Sequence, residues 1–118
     1  MSFPSPAKDY QESVIDLPSL LVQHPSSTFY MRVKGNSMDG AHIPDGALLI
    51  VDRSIKAVSG MIIVAILNGE FTIRKLIHTQ RVTVLHPENP FYKPIVITNE
   101  MDFQIWGVVT GIIIKPNK

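Results

Sequence analysis

The sequence predicts a single, mostly-β domain. Three observations carry this expectation. Apolar residues fall in short continuous runs or in period-two alternation, turn residues separate those runs, and no amphipathic helix of real length is present. The chain has 118 residues, of which 45% are hydrophobic and 18% charged, enough for one core and too few residues for two ordinary domains.

The elements follow in order along the chain. Residues 1–12, "MSFPSPAKDYQE", mix Ser and Pro without periodicity and predict an extended, mobile N-terminal arm, leaving 13–118 as the folded domain. "SVIDLPSLLVQHPSS" contains Ile15, Leu17, Leu20, Leu21 and Val22 and reads as a single helical turn closed by His24-Pro25. "TFYMRVK" (28–34) alternates, with Phe29, Met31 and Val33 on one face. "ALLIVD" (47–52) and "MIIVAIL" (61–67) are unbroken apolar runs, as expected of strands buried on both faces. "EFTIRKLI" (70–77), "RVTVL" (81–85), "IVIT" (95–98) and "FQIWGVVTGIIIK" (103–115) complete the strands. Asn68-Gly69 between two of them is a two-residue hairpin signal.

Composition excludes several functions. Eleven Lys+Arg against ten Asp+Glu give a net charge of +1, which is no footprint for nucleic acid, so direct DNA binding is not expected. There is no cysteine, hence no disulfide, thiol nucleophile or Cys-ligated zinc. No pair of histidines has metal-ligand spacing, and neither a metal nor a cofactor is expected. No apolar run reaches the roughly 20 residues that span a bilayer, and "MSFPSPAKDYQ" lacks the apolar middle of a signal peptide. A cytoplasmic protein without membrane contact is expected.

The chemistry centres on two stretches. In "VKGNSMDGAHIPDG", Ser37 follows a strand between Gly35 and Gly40, a setting that can lift a hydroxyl clear of the backbone. A serine nucleophile needs a base. His24, His42, His78 and His86 fall in turns or at strand ends and show no triad arrangement, so surface or turn histidines are the simpler reading. The other base known for serine is a lysine neutralised by burial. "FTIRKL" offers two adjacent cations, Arg74 and Lys75, whose side chains leave a strand on opposite faces.

The motifs "FPSPA.DY", "QHPS.T", the "G.SM" loop, "DG.LLIVD" and "GEFT", with "PENPFYKPIVI" and "IWGVVTGIII", resemble the LexA/UmuD self-cleaving peptidases nearly end to end. These are related to signal peptidases. The resemblance implies a signal-peptidase/LexA C-terminal-domain-like complex β fold, a homodimer and a Ser–Lys dyad. It also implies stimulation by a RecA–single-stranded-DNA filament. The processed UmuD-type dimer joins a Y-family DNA polymerase catalytic subunit (UmuC-like) in mutagenic lesion bypass during the SOS response.

Carried onto this chain, the nucleophile falls on Ser37 and the oxyanion donors on the backbone N–H groups of Ser37 and Met38. The family's lysine falls on Arg74. Arginine stays protonated in proteins and cannot serve as a general base. Lys75 could take over only through a bulge or register slip, because one step along a strand reverses the face. Strand parity therefore sends Arg74 into the cleft and Lys75 to solvent, and weak or absent peptidase activity is expected. UmuD-type members are cut at a Cys-Gly bond just before the "FPSPA" segment. This chain has Met1-Ser2 there, which suggests a natural short form born processed, or else a processed chain.

The expected function is therefore a polymerase accessory with an impaired Ser–Lys site. The alternatives are an active peptidase cutting an arm in cis or in trans, or the dimerisation domain of a LexA-like repressor. Trp106 is expected in the core or a dimer contact, Pro44-Asp45-Gly46 as a turn and nothing more, and Arg32, Lys34, Arg53 and Lys56 as a solvated surface.

Overall fold

The computed structural model describes residues 16–116; the arm expected at 1–12 lies outside them. The chain enters through a short helix, α1 (Leu17–Leu21), whose N-cap Asp16 accepts hydrogen bonds from the Ser19 N–H at 3.4 Å and the Ser19 hydroxyl at 2.7 Å. A 3-10 turn at Pro25–Ser27 leads into the sheet. Its strands are β1 (Thr28–Arg32), β2 (Leu48–Asp52), β3 (Ile62–Leu67), β4 (Glu70–His78), β5 (Thr83–His86), β6 (Ile95–Val96) and β7 (Phe103–Ile113). They form one seven-stranded sheet in the order β1-β2-β7-β3-β4-β5-β6, and every neighbouring pair is antiparallel.

The mostly-β expectation holds; several strands end short of it, while β4 and β5 run one residue beyond, to His78 and His86. β1 stops at Arg32, although Val33 still donates to the Ala47 carbonyl at 2.9 Å and accepts from the Gly46 N–H at 2.9 Å. β5 begins at Thr83 because the Thr79 hydroxyl accepts the Arg81 and Val82 N–H groups and closes a turn there. The β3–β4 hairpin turns on Asn68 and Gly69, whose φ values of +50° and +85° are the left-handed pair of a type I′ turn.

Two apolar clusters are buried. One gathers Val33, Met38, Ile43, Ala47, Leu49, Val51 and Val64. The other holds Ile63, Ala65, Leu76, Leu85 and Val108. β3 feeds both, Val64 to the first and Ile63 and Ala65 to the second, which is why its sequence runs apolar without alternation.

β7 bends the sheet. Val64 pairs with Gly107 and Ala65 with Ile105, so Trp106 is the extra residue of a bulge; Thr110 is another, between the partners of Ile50 and Val51. The half-buried Trp106 ring meets Phe29 of β1 edge-on at 5.3 Å and Phe71 of β4 at 5.6 Å. Three strands lie between β1 and β4 in the sheet order, yet both close on one indole. The curl brings the chain leaving β1 opposite β4, and the candidate site forms between them. Arg53 is not simply solvated surface: its guanidinium carbon lies 4.6 Å from the Trp106 ring centre and its Nε donates to the Trp106 carbonyl at 2.8 Å.

His24 likewise proves to be more than a turn histidine. Its Nδ1 lies 2.5 Å from Asp52 Oδ2, while Asp52 Oδ1 accepts from the Ser54 hydroxyl at 2.6 Å and the Ser54 N–H at 2.8 Å. These bonds, Ser54's hydroxyl first and His24 next, hold the Asp52 carboxyl at about 2, against an ordinary 3.8. A depressed carboxylate pKa stabilises the fold above the unfolded value, and that contribution disappears as pH falls through the folded one. Asp52→Asn should therefore lower the Tm most above about pH 4, and the difference from the native chain should shrink toward pH 2. Thermal melts across that range check it; a difference independent of pH would refute the assignment.

Candidate active site

Ser37 and Met38 sit in the segment that leaves β1, which several backbone bonds hold in place. The Asp45 carboxylate accepts the Gly35 N–H at 2.7 Å, and Arg32 Nη1 donates to the Gly46 carbonyl at 3.0 Å. Pro44-Asp45-Gly46 is thus a brace for the serine loop as well as a turn. On the other side, the Glu88 N–H donates to the Ser37 carbonyl at 2.9 Å, and the Gly40 N–H donates to the Glu88 carbonyl at 2.7 Å. A Cβ at Gly40 would lie 2.7 Å from that same oxygen. This glycine is needed for close approach of two backbones, not for lifting the serine hydroxyl.

Met38, 1% exposed, anchors the loop in the first apolar cluster and leaves Ser37 half-buried at the rim. Among the described residues, the N–H groups of Ser37 and Met38 donate to no acceptor within the chain. Two adjacent unengaged donors beside a hydroxyl are the arrangement that stabilises an oxyanion.

Arg74 of β4 meets the serine. Its Nη1 donates to Ser37 Oγ at 2.8 Å and to the Ile73 carbonyl at 2.7 Å. The Tyr92 ring lies 5.8 Å from the guanidinium carbon, and the Tyr92 hydroxyl donates to Asn36 Oδ1 at 2.7 Å. Burial draws the Arg74 pKa below its ordinary value, with Tyr92 opposing. A guanidinium starting above about 12 still keeps its proton at any pH the protein meets. It therefore donates to the serine oxygen and has no site that accepts the serine's proton.

Lys75 goes elsewhere. Its Nζ lies 3.7 Å from Glu88 Oε1, with 40% of the side chain exposed. It is paired on the flank of the loop rather than simply solvated, and an exposed pair of this kind adds little stability. None of the four histidines hydrogen-bonds Ser37 among the described residues: His78 Nδ1 faces the Thr83 hydroxyl at 2.7 Å and His86 Nδ1 lies 4.0 Å from Glu88 Oε1. His42 takes φ +62° at the end of a 3-10 turn.

Asn36, Glu88, Asn89 and Tyr92 were not singled out from sequence. Asn89 Nδ2 donates to the Asn36 carbonyl at 2.7 Å and completes the clamp from "PENPFY" onto the serine loop. Their only signal was a proline-bounded loop rich in polar side chains, which looks the same whether or not it touches a site. The segment leaving β1, β4 and Tyr92 line a groove of about 340 Å³ running past Met31, Ser37, Phe71, Ile73 and Arg74. Among the described residues, no group of His, Asp and Glu is placed to hold a metal, and no helix is long and apolar enough to cross a membrane.

The sequence pattern of the family described as Peptidase S24-like matches residues 1–110. Protein MucA of Salmonella typhimurium is 38% identical over 113 residues, covering 96% of this chain and 77% of that protein. Protein SamA of Salmonella typhimurium strain LT2 is 41% identical, covering 96% and 78%. The LexA repressor of Syntrophotalea carbinolica is 39% identical over 100 residues, covering 85% of this chain and 49% of the repressor.

Proposed function

Since this chain belongs to the Peptidase S24-like family, we propose that it is a UmuD-type accessory subunit of an error-prone translesion polymerase, with its autopeptidase site disabled by Arg74. The observation that carries the reading is the 2.8 Å bond from Arg74 Nη1 to Ser37 Oγ. The family lysine would accept the serine's proton at this place. A permanent cation donates one instead, so Ser37 stays a neutral hydroxyl and a poor nucleophile. The oxyanion donors and the groove remain, and the part of the mechanism that is lost is proton transfer.

In this reading the folded dimer acts by binding. Its partners are a second copy, a Y-family catalytic subunit and the RecA–single-stranded-DNA filament, and it reads no DNA sequence itself. A direct test is co-expression with the Y-family catalytic subunit in a bacterium lacking its own UmuD-type subunit, scored by damage-induced mutation. The native chain and Ser37→Ala should restore mutation equally. Restoration by the native chain alone would mean that Ser37 chemistry is required, and failure of both would remove the polymerase role.

A further inference from the structure

The groove around Ser37 retains more than a disabled nucleophile needs. Arg74 spends one nitrogen, Nη1, on Ser37 Oγ and the Ile73 carbonyl. Among the described residues its buried Nε has no hydrogen-bond partner and Nη2 donates to no acceptor. A buried donor left unpaired is costly, and the Nε/Nη2 edge of a guanidinium matches a carboxylate in a two-bond fork. The unengaged N–H groups of Ser37 and Met38 lie beside the same hydroxyl.

The approach to this point is built for extended chain. β5 pairs only with Lys75 to His78, so the outer edge of β4 from Glu70 to Arg74 has no strand beside it among the described residues. An unpaired edge accepts a peptide as an added strand through main-chain bonds. The edge leads along Phe71 and Ile73 to Arg74, and the opposite wall of the groove is Met31 to Ser37.

We propose that this site is a reader of peptide C-termini: it binds an extended peptide that ends in a free α-carboxylate, held by Arg74, the Ser37 hydroxyl and the Ser37 and Met38 N–H groups. The inference rests on the disabled-peptidase reading, since a working enzyme would turn such peptides over. A peptidase needs its oxyanion donors for a charge that exists only in the transition state. Here the fixed cation makes a stable anion, the terminal carboxylate, the better-matched ligand. Burial that lowers the Arg74 pKa acts in the same direction, because an anion restores the solvation that the guanidinium has lost.

The test is an NMR titration of the full chain with an acetylated four-residue Ala/Val peptide carrying a free C-terminal carboxylate, and with its C-terminal amide. The carboxylate form should bind about tenfold or more tightly than the amide, the range of a charged hydrogen bond, and should shift the Ser37 and Met38 amide signals. Arg74→Gln should erase the preference. Arg74→Lys, read at about pH 6 where its amine keeps the proton, retains the charge but loses the fork and should keep only part of the preference. Equal affinity for both peptides, or no shift of those two amides at millimolar peptide, would overturn the C-terminus reader while leaving the disabled site intact. Hydrolysis of the amide peptide by the native chain would instead bring down the reading beneath it.

Discussion

Arg74→Lys should restore cleavage. Mixed with a Ser37→Ala copy carrying a UmuD-type N-terminal arm, the native chain should leave the arm intact, and Arg74→Lys should cut it. The expected gain is at least about 10²-fold over background, the lower end of what a positioned general base contributes. Lysine at 74 starts from the backbone position that brings Arg74 Nη1 within 2.8 Å of Ser37 Oγ, and its shorter amine lies in the same partly buried pocket. Burial lowers an amine's pKa, so cleavage should rise with pH between about 7 and 10 as the amine loses its proton. Lys75→Ala should change nothing in either background, because Lys75 pairs with Glu88 on the flank of the loop. Cleavage by the native chain that vanishes in Lys75→Ala would show that the register places the wrong cation at the serine.

Leu49→Ala should be the most damaging of the simple core truncations near the site. Leu49 is 0% exposed, pairs with Met31 on one side and Ile112 on the other, and packs in the cluster that anchors Met38. Removing its branched end leaves a cavity in the layer beneath the serine loop. The expected loss is about 2–5 kcal/mol, read from denaturant melts. Val96→Ala, at a side chain 50% exposed, should stay within about 0.5 kcal/mol of the native chain. Because the lost packing lies under Met38, the Leu49 variant should also broaden the Ser37 and Met38 amide signals at temperatures where the rest of the sheet is still folded. A Leu49 variant as stable as the Val96 variant would mean that the cluster collapses around the gap and holds the loop by other contacts.

Several features were readable because they depend on neighbours in sequence. The Asn68-Gly69 turn needs only two residues that accept positive φ. The apolar runs of β2 and β3 reported burial on both faces before any partner strand was known. The inability of Arg74 to accept a proton was readable from "GEFTIRKL", because it follows from side-chain type alone. Trp106 was expected in a packed setting, but its position on a bulge was hidden. A bulge is defined by what stands opposite, and Val64 and Ala65 lie about 40 residues away in the chain from their partners Gly107 and Ile105.

The residues that hold the serine loop were hidden for the same reason. Glu88, Asn89 and Tyr92 act through a backbone N–H and carbonyl, a side-chain amide and a phenolic hydroxyl across about 50 residues of sequence. Nothing in their local pattern distinguishes a clamp from an idle loop. Asp45 was expected as a turn residue and Gly40 as a flank that frees the serine hydroxyl, and both prove to bond outward, the first to Gly35 and the second to Glu88.

By itself, then, the sequence determined the class of fold, the hairpin, the family's motifs and the chemical incapacity at position 74. These follow from period, turn chemistry and side-chain type, all of which are properties of the chain before it folds. Strand parity already sends Arg74 toward the cleft; only the tertiary structure decided that it bonds Ser37, that Lys75 is paired to Glu88, and that Arg74 keeps, among the described residues, an unpaired edge beside two unengaged N–H groups. Those outcomes depend on the curl that β7's bulges impose on the sheet, which folds β1 toward β4 and sets distances no linear spacing contains.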